Sequence, residues 1–66
     1  MKTVFLNYLN IAIEVSETDE WLSLNLIRGD YQVHYCEQYN EVCIYEYDEQ
    51  LDNPQNRYKL LSKQII

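Results

Sequence analysis

His34, Cys36 and Cys43 are the side chains best suited to chemistry, because imidazole nitrogen and thiolate sulfur are zinc donors and also the base and nucleophile of thiol catalysis. Three such donors with no CxxC knuckle fall one short of a closed structural site, so a metal would need a ligand from outside the chain. A nucleophilic thiol needs a positive environment to lower its pKa, an oxyanion hole and a cleft, and nothing in the surrounding residues supplies them. The expectation is therefore no metal, no cofactor and no catalytic residue in a non-enzymatic chain. Its two thiols read as small packing groups, and with no cleavable apolar leader ahead of them they are expected to stay reduced in the cytoplasm.

The carboxylates are the next candidates. Glu14, Glu17, Asp19 and Glu20, followed by Glu41, Glu46, Asp48, Glu49 and Asp52, match no calcium-loop spacing and read as solvated surface. Arg28-Gly29-Asp30 spells an integrin-binding tripeptide, but glycine and aspartate at a hairpin tip account for it. Five basic against 11 acidic side chains leave a net charge of −6, which opposes direct binding to nucleic acid and favours a basic protein partner. All the acids precede residue 53, whereas Arg57, Lys59 and Lys63 follow it, so a basic tail ends an acidic body. The apolar run over residues 4–15 is broken by Asn7, Asn10 and Glu14 and is no membrane span.

These groups must be positioned by strands. Leu9, Ile11, Ile13 and Val15, then Leu22, Leu24 and Leu26, alternate with smaller or polar residues at the two-residue period of a half-buried strand. Residues 31–48 carry five of the seven tyrosines in two further β-rich runs around Tyr39-Asn40, where asparagine tolerates positive φ. Turns at residues 17–20, Gly29-Asp30 and Tyr39-Asn40 set Val15 opposite Leu22, Leu26 opposite Val33 and Tyr35 opposite Ile44. One face then holds Ile11, Ile13, Val15, Leu22, Leu24, Leu26, Val33, Tyr35, Val42 and Ile44. A three-residue loop with Asn40 left-handed would instead pair Tyr35 with Cys43; a two- or four-residue loop leaves fewer apolar groups wet. Asn53-Pro54 reads as an N-cap and first helical residue, and Tyr58, Leu61 and Ile65 share a helical face. The expected fold is α+β: one domain over residues 1–66, a four-stranded antiparallel meander with a C-terminal helix covering its aliphatic face.

The other face should present Ala12, Glu14, Trp21, Ser23, Asn25, Ile27, Gln32, His34, Cys36, Cys43, Tyr45 and Tyr47, too aromatic for an ordinary solvated surface. Residues 1–8, with Phe5, Leu6 and Tyr8, offer one possible internal cover. Otherwise the face docks on a partner, with Trp21, Glu41, Tyr45, Glu46, Tyr47, Asp48 and Glu49 as the expected contacts. The function this suggests is a small acidic inhibitor or regulator, of the style of phage or mobile-element proteins. It would occupy the basic surface of a nuclease or other nucleic-acid-binding protein as a nucleic-acid mimic. The alternative is a structural homo-oligomer, in the simplest case a homodimer, pairing through the same face.

Overall fold

The computed structural model describes residues 1–50 and 57–66. Strands β1 (Lys2–Leu6) and β2 (Ile11–Val15) pair antiparallel as a two-stranded sheet. Strands β3 (Glu20–Leu26), β4 (Gly29–Cys36), β5 (Glu41–Tyr47) and β6 (Tyr58–Ile65) form a second, fully antiparallel sheet in that order. A single core lies between them: Val4, Leu6, Leu9 and Val15 from the hairpin meet Tyr31, Val33, Tyr35, Val42 and Ile44 from the larger sheet. The short axis of 16 Å suits two β layers packed about 10 Å apart.

The C-terminal helix is overturned: the described residues form no helix, and residues 58–65 are the edge strand β6. With β5 already carrying core residues, β6 pairs backbone groups that β5 would otherwise leave open, and tertiary pairing outweighs the helix propensity of leucine, lysine and glutamine. Ile44 pairs with Ser62 but Tyr45 with Leu60, so Leu61 is an extra residue in a bulge. Leu61 thereby packs against the core, the alternation breaks, and the broken alternation imitates a helical period. The expected N-cap at Asn53-Pro54 lies outside the described residues.

The hairpin, not a helix, covers the aliphatic face, so residues 1–8 are not the lid of the aromatic one. This also corrects the pairing of β2 with β3, since residues 16–19 cross between layers instead of joining neighbours. Ser16 N donates to Glu20 Oε2 at 2.6 Å across that crossing. Three further contacts fasten the layers. Gln64 Nε2 donates to Phe5 O at 2.7 Å while its Oε1 accepts from Asn7 N at 3.1 Å, Arg28 donates to Leu9 O, and the Lys2 ammonium lies 5.9 Å from the centre of the Tyr35 ring.

Both remaining registers move by an even number of residues. The β3–β4 turn is Ile27-Arg28, with Gly29 supplying φ 152°, so Leu22 faces Val33 and Leu24 faces Tyr31. The β4–β5 loop is the four-residue one, residues 37–40, which pairs Tyr35 with Val42 and leaves Asn40 at φ 52°. Asn10 repeats this device at φ 58°, closing the four-residue β1–β2 turn with Asn10 N donating to Leu6 O at 2.8 Å. Among the described residues no helix is long and apolar enough to cross a membrane.

Candidate functional site

Alternation along β3 to β6 sends the inward residues to the core, and among the described residues no layer covers the outer face of the large sheet. Its rows follow from the registers: Trp21, His34, Cys43 and Lys63; Ser23, Gln32, Tyr45 and Leu60; and, at the far end, Asn25 and Asp30 on β3 and β4 with Tyr47 and Tyr58 on β5 and β6. The expected pairing of Tyr35 with Ile44 would have set Cys36 opposite Cys43; Cys36 instead faces Glu41 and Cys43 faces His34, and both thiols are free.

The rings support one another. Trp21 stacks on His34 with centroids 4.5 Å apart and planes 19° from parallel, and it tilts against Tyr45 at 5.6 Å. Tyr58 meets Tyr47 edge to face at 5.7 Å. Contacts of this kind are worth about 0.5–1.5 kcal/mol beyond area burial and fix ring orientation before any ligand arrives. Trp21 is nonetheless 60% exposed and Tyr58 43%. Between them runs a shallow furrow of about 440 Å³ lined by Trp21, Gln32, Tyr45 and Tyr58, where Gln32 Nε2 donates to Ser23 Oγ at 2.8 Å.

The charge on this face is small. Glu41 is paired with Lys63 at 3.1 Å, and that ammonium, helped by the Cys43 thiol, holds the Glu41 carboxyl below the usual range while Glu41 raises Lys63. Burial, then the Glu41 hydrogen bond at 3.3 Å, pushes the Cys43 thiol up, and burial likewise raises Tyr45. A thiol held in its neutral form is a poor nucleophile and a poor metal ligand. No group of acids, thiols and imidazole suited to a metal occurs among the described residues.

The described acids gather mostly at the two ends of the sheet. Glu17, Asp19, Glu20 and Glu37 cluster where β3 starts and β4 stops, with Glu37 N donating to Asp19 Oδ1 at 3.2 Å. Asp30, Glu46, Asp48 and Glu49 mark the other end, beside Arg28, Arg57 and Lys59. Of the residues expected to contact a partner, Trp21, Tyr45 and Tyr47 share the outer face and Glu41 joins them already paired. Glu46 points to the opposite side of β5, in register with buried Tyr31, and Asp48 and Glu49 follow the strand.

Tyr58, Leu60 and Gln32 belong to the site but were not among those expected contacts. Tyr58-Lys59-Leu60 repeats the apolar–charged–apolar rhythm of Tyr45-Glu46-Tyr47, and that echo was the available signal for a fourth strand. The class defined by this fold and face is an all-β, two-layer module with one sheet surface open and aromatic. Comparison with protein-family models, curated proteins and solved structures finds no match to the chain.

Proposed function

We propose that the chain is a non-enzymatic protein-binding module that docks the outer aromatic face on a partner with a basic surface. One observation carries the reading: the core is completed on the other side, yet Trp21, Tyr45, Tyr47, Tyr58 and Leu60 converge on a face over which the described residues place no layer. Apolar rings at the centre of a patch with charges around its margin is the anatomy of a protein interface. The acidic ends steer a cationic partner and the rings hold it. A surface that ordinarily binds DNA or RNA is one such partner, and covering it would inhibit; the carboxylates then act as a charged frame from two ends instead of a row of phosphate mimics. Two unpaired thiols suit a reducing compartment such as the cytoplasm.

The second reading, self-pairing through the same face, is favoured by that face's own near neutrality: Asp30 and Glu41 against Lys63. Sedimentation with acrylamide quenching of Trp21, the single tryptophan, separates the two. A monomer with Trp21 open to quencher supports the binding module, and a dimer that protects Trp21 supports self-pairing. Affinity capture then compares the intact chain with a Trp21→Ser, Tyr45→Ser chain. Basic partners should be recovered by the first and lost by the second and by added salt; equal recovery by both chains refutes the docking face.

A further inference from the structure

We propose that the furrow from Trp21 to Tyr58 binds an extended, proline-containing peptide segment whose arginine or lysine lies at the Trp21 end. The inference rests on the protein-binding reading and names the segment that such a partner presents.

Shape comes first. From β3 to β6 is three strand spacings, and from the Trp21 row to the Tyr58 row is four residues, so the backbone positions of the two rings lie about 19 Å apart along a diagonal of the sheet. A polyproline II segment rises about 3.1 Å per residue, so about six residues span it.

Cost comes next. The furrow is shallow and half open, so little surface of a ligand is buried, and a flexible chain would spend about 2–5 kcal/mol in becoming ordered. A proline-rich segment is ordered beforehand and avoids most of that cost. Its pyrrolidine rings are compact and apolar, matching the exposed part of Trp21, which His34 braces from behind, and the edge-braced ring of Tyr58. Its backbone carbonyls have no internal partners, and an indole N–H and phenolic O–H groups are the donors that aromatic walls provide.

Charge sets the direction. Glu20 adjoins Trp21, and Glu17, Asp19 and Glu37 stand at the same end; of the cations nearby, Lys63 is engaged by Glu41 and Lys2 lies over Tyr35. At the Tyr58 end Arg28, Arg57 and Lys59 offset most of the acids. A cationic side chain therefore gains more at the Trp21 end, where it also meets the exposed indole face.

The test titrates the intact chain with a labelled peptide of about six prolines and two arginines, with the arginines at either end, and follows peptide anisotropy and Trp21 fluorescence. Saturable binding with a blue shift of Trp21 is expected, weakened about tenfold by Tyr58→Ser or Trp21→Ser and severalfold by Glu17→Gln with Asp19→Asn. Tyr39→Ser, exposed on the β4–β5 loop, should leave binding unchanged and serves as the folded control alongside circular dichroism of each variant. A glycine–serine peptide of equal charge that binds as tightly, or no saturation with the proline peptide, overturns the inference. Face-dependent capture that persists without proline-peptide binding strikes this inference alone; loss of that capture strikes the reading beneath it.

Discussion

Leu6→Ala tests whether the β1–β2 hairpin is what completes the core. Leu6 has no exposed surface, while its neighbour Phe5 points outward and is 50% exposed. Truncating a buried leucine costs about 2–5 kcal/mol, and about 3 kcal/mol suits a small two-layer domain that closes partly around the gap. A 66-residue chain has about 3–10 kcal/mol of stability in all, so the loss runs from a third of it to the whole. At about 4–8 °C per kcal/mol, Tm should fall by about 12–24 °C. Phe5→Ala removes a half-exposed ring and should cost about 1 kcal/mol. Urea and thermal melts followed by far-UV circular dichroism measure both, with unchanged m-values showing that the denatured state is the same. Equal losses for Leu6→Ala and Phe5→Ala would mean that the hairpin is an appendage, and the two-layer account would fail.

Asn40→Ala keeps a Cβ at φ 52° but loses the amide whose local hydrogen bonding lets asparagine tolerate that region, and should cost about 1 kcal/mol, whereas Asn40→Gly should be close to neutral; a melt in which alanine equals glycine would remove the left-handed residue from the turn's specification. Stability should also fall at both ends of the pH range. Glu41 and Glu20 are held below the ordinary carboxylate value, by Lys63 and by the Ser16 hydrogen bonds, so their contributions are full above about pH 4.3 and fade as pH drops further. Cys43 and Tyr45 are raised by burial, so theirs are full below the ordinary thiol value of about 8.5 and fade as pH climbs past it. In Cys43→Ala the alkaline limb should begin later, nearer the tyrosine range, while the acid limb weakens only in part, since Glu41 loses the thiol hydrogen bond but keeps Lys63; an unchanged alkaline limb would sink the assignment.

Side-chain parity was legible in the sequence, and strand partnership was not. All ten residues expected on the aliphatic face pack in or against the core: the seven on β3 to β5 because both displaced registers moved by two or four residues, and an even slip keeps each side chain on its own face, and Ile11, Ile13 and Val15 from the facing hairpin. Val33 therefore changes partner from Leu26 to Leu22 without changing sides. Partnership failed at residues 16–19, since a polar four-residue link joins neighbouring strands or opposing layers with equal ease, and only the need to cover Val33, Tyr35 and Ile44 decides between them. It failed again at Leu61, where one extra residue erased the alternation that would have marked a strand. That Trp21, Tyr45 and Tyr47 share a face was legible because strands keep parity; Glu46 was grouped with them although it lies between two outward tyrosines and so points the other way.

A sheet has two faces, and among the described residues one hairpin is there to cover them. Once Val4, Leu6 and Val15 have gone to the aliphatic side, the opposite side can be kept quiet only by polar residues, and β3 does use Ser23 and Asn25. On β5 and β6 the outward positions instead include Tyr45, Tyr47, Tyr58 and Leu60, so fold stability alone does not account for them. Stacking and edge contacts immobilise the rings at folding, which lowers the entropy a partner must spend on ordering them. The separation of rings from carboxylates then divides the kinetics: charge reversal at the sheet ends should slow association and flatten its salt dependence, whereas truncating Trp21 or Tyr58 should hasten dissociation. Both effects appearing in the same rate would mean that centre and margin do not act as separate parts of one surface.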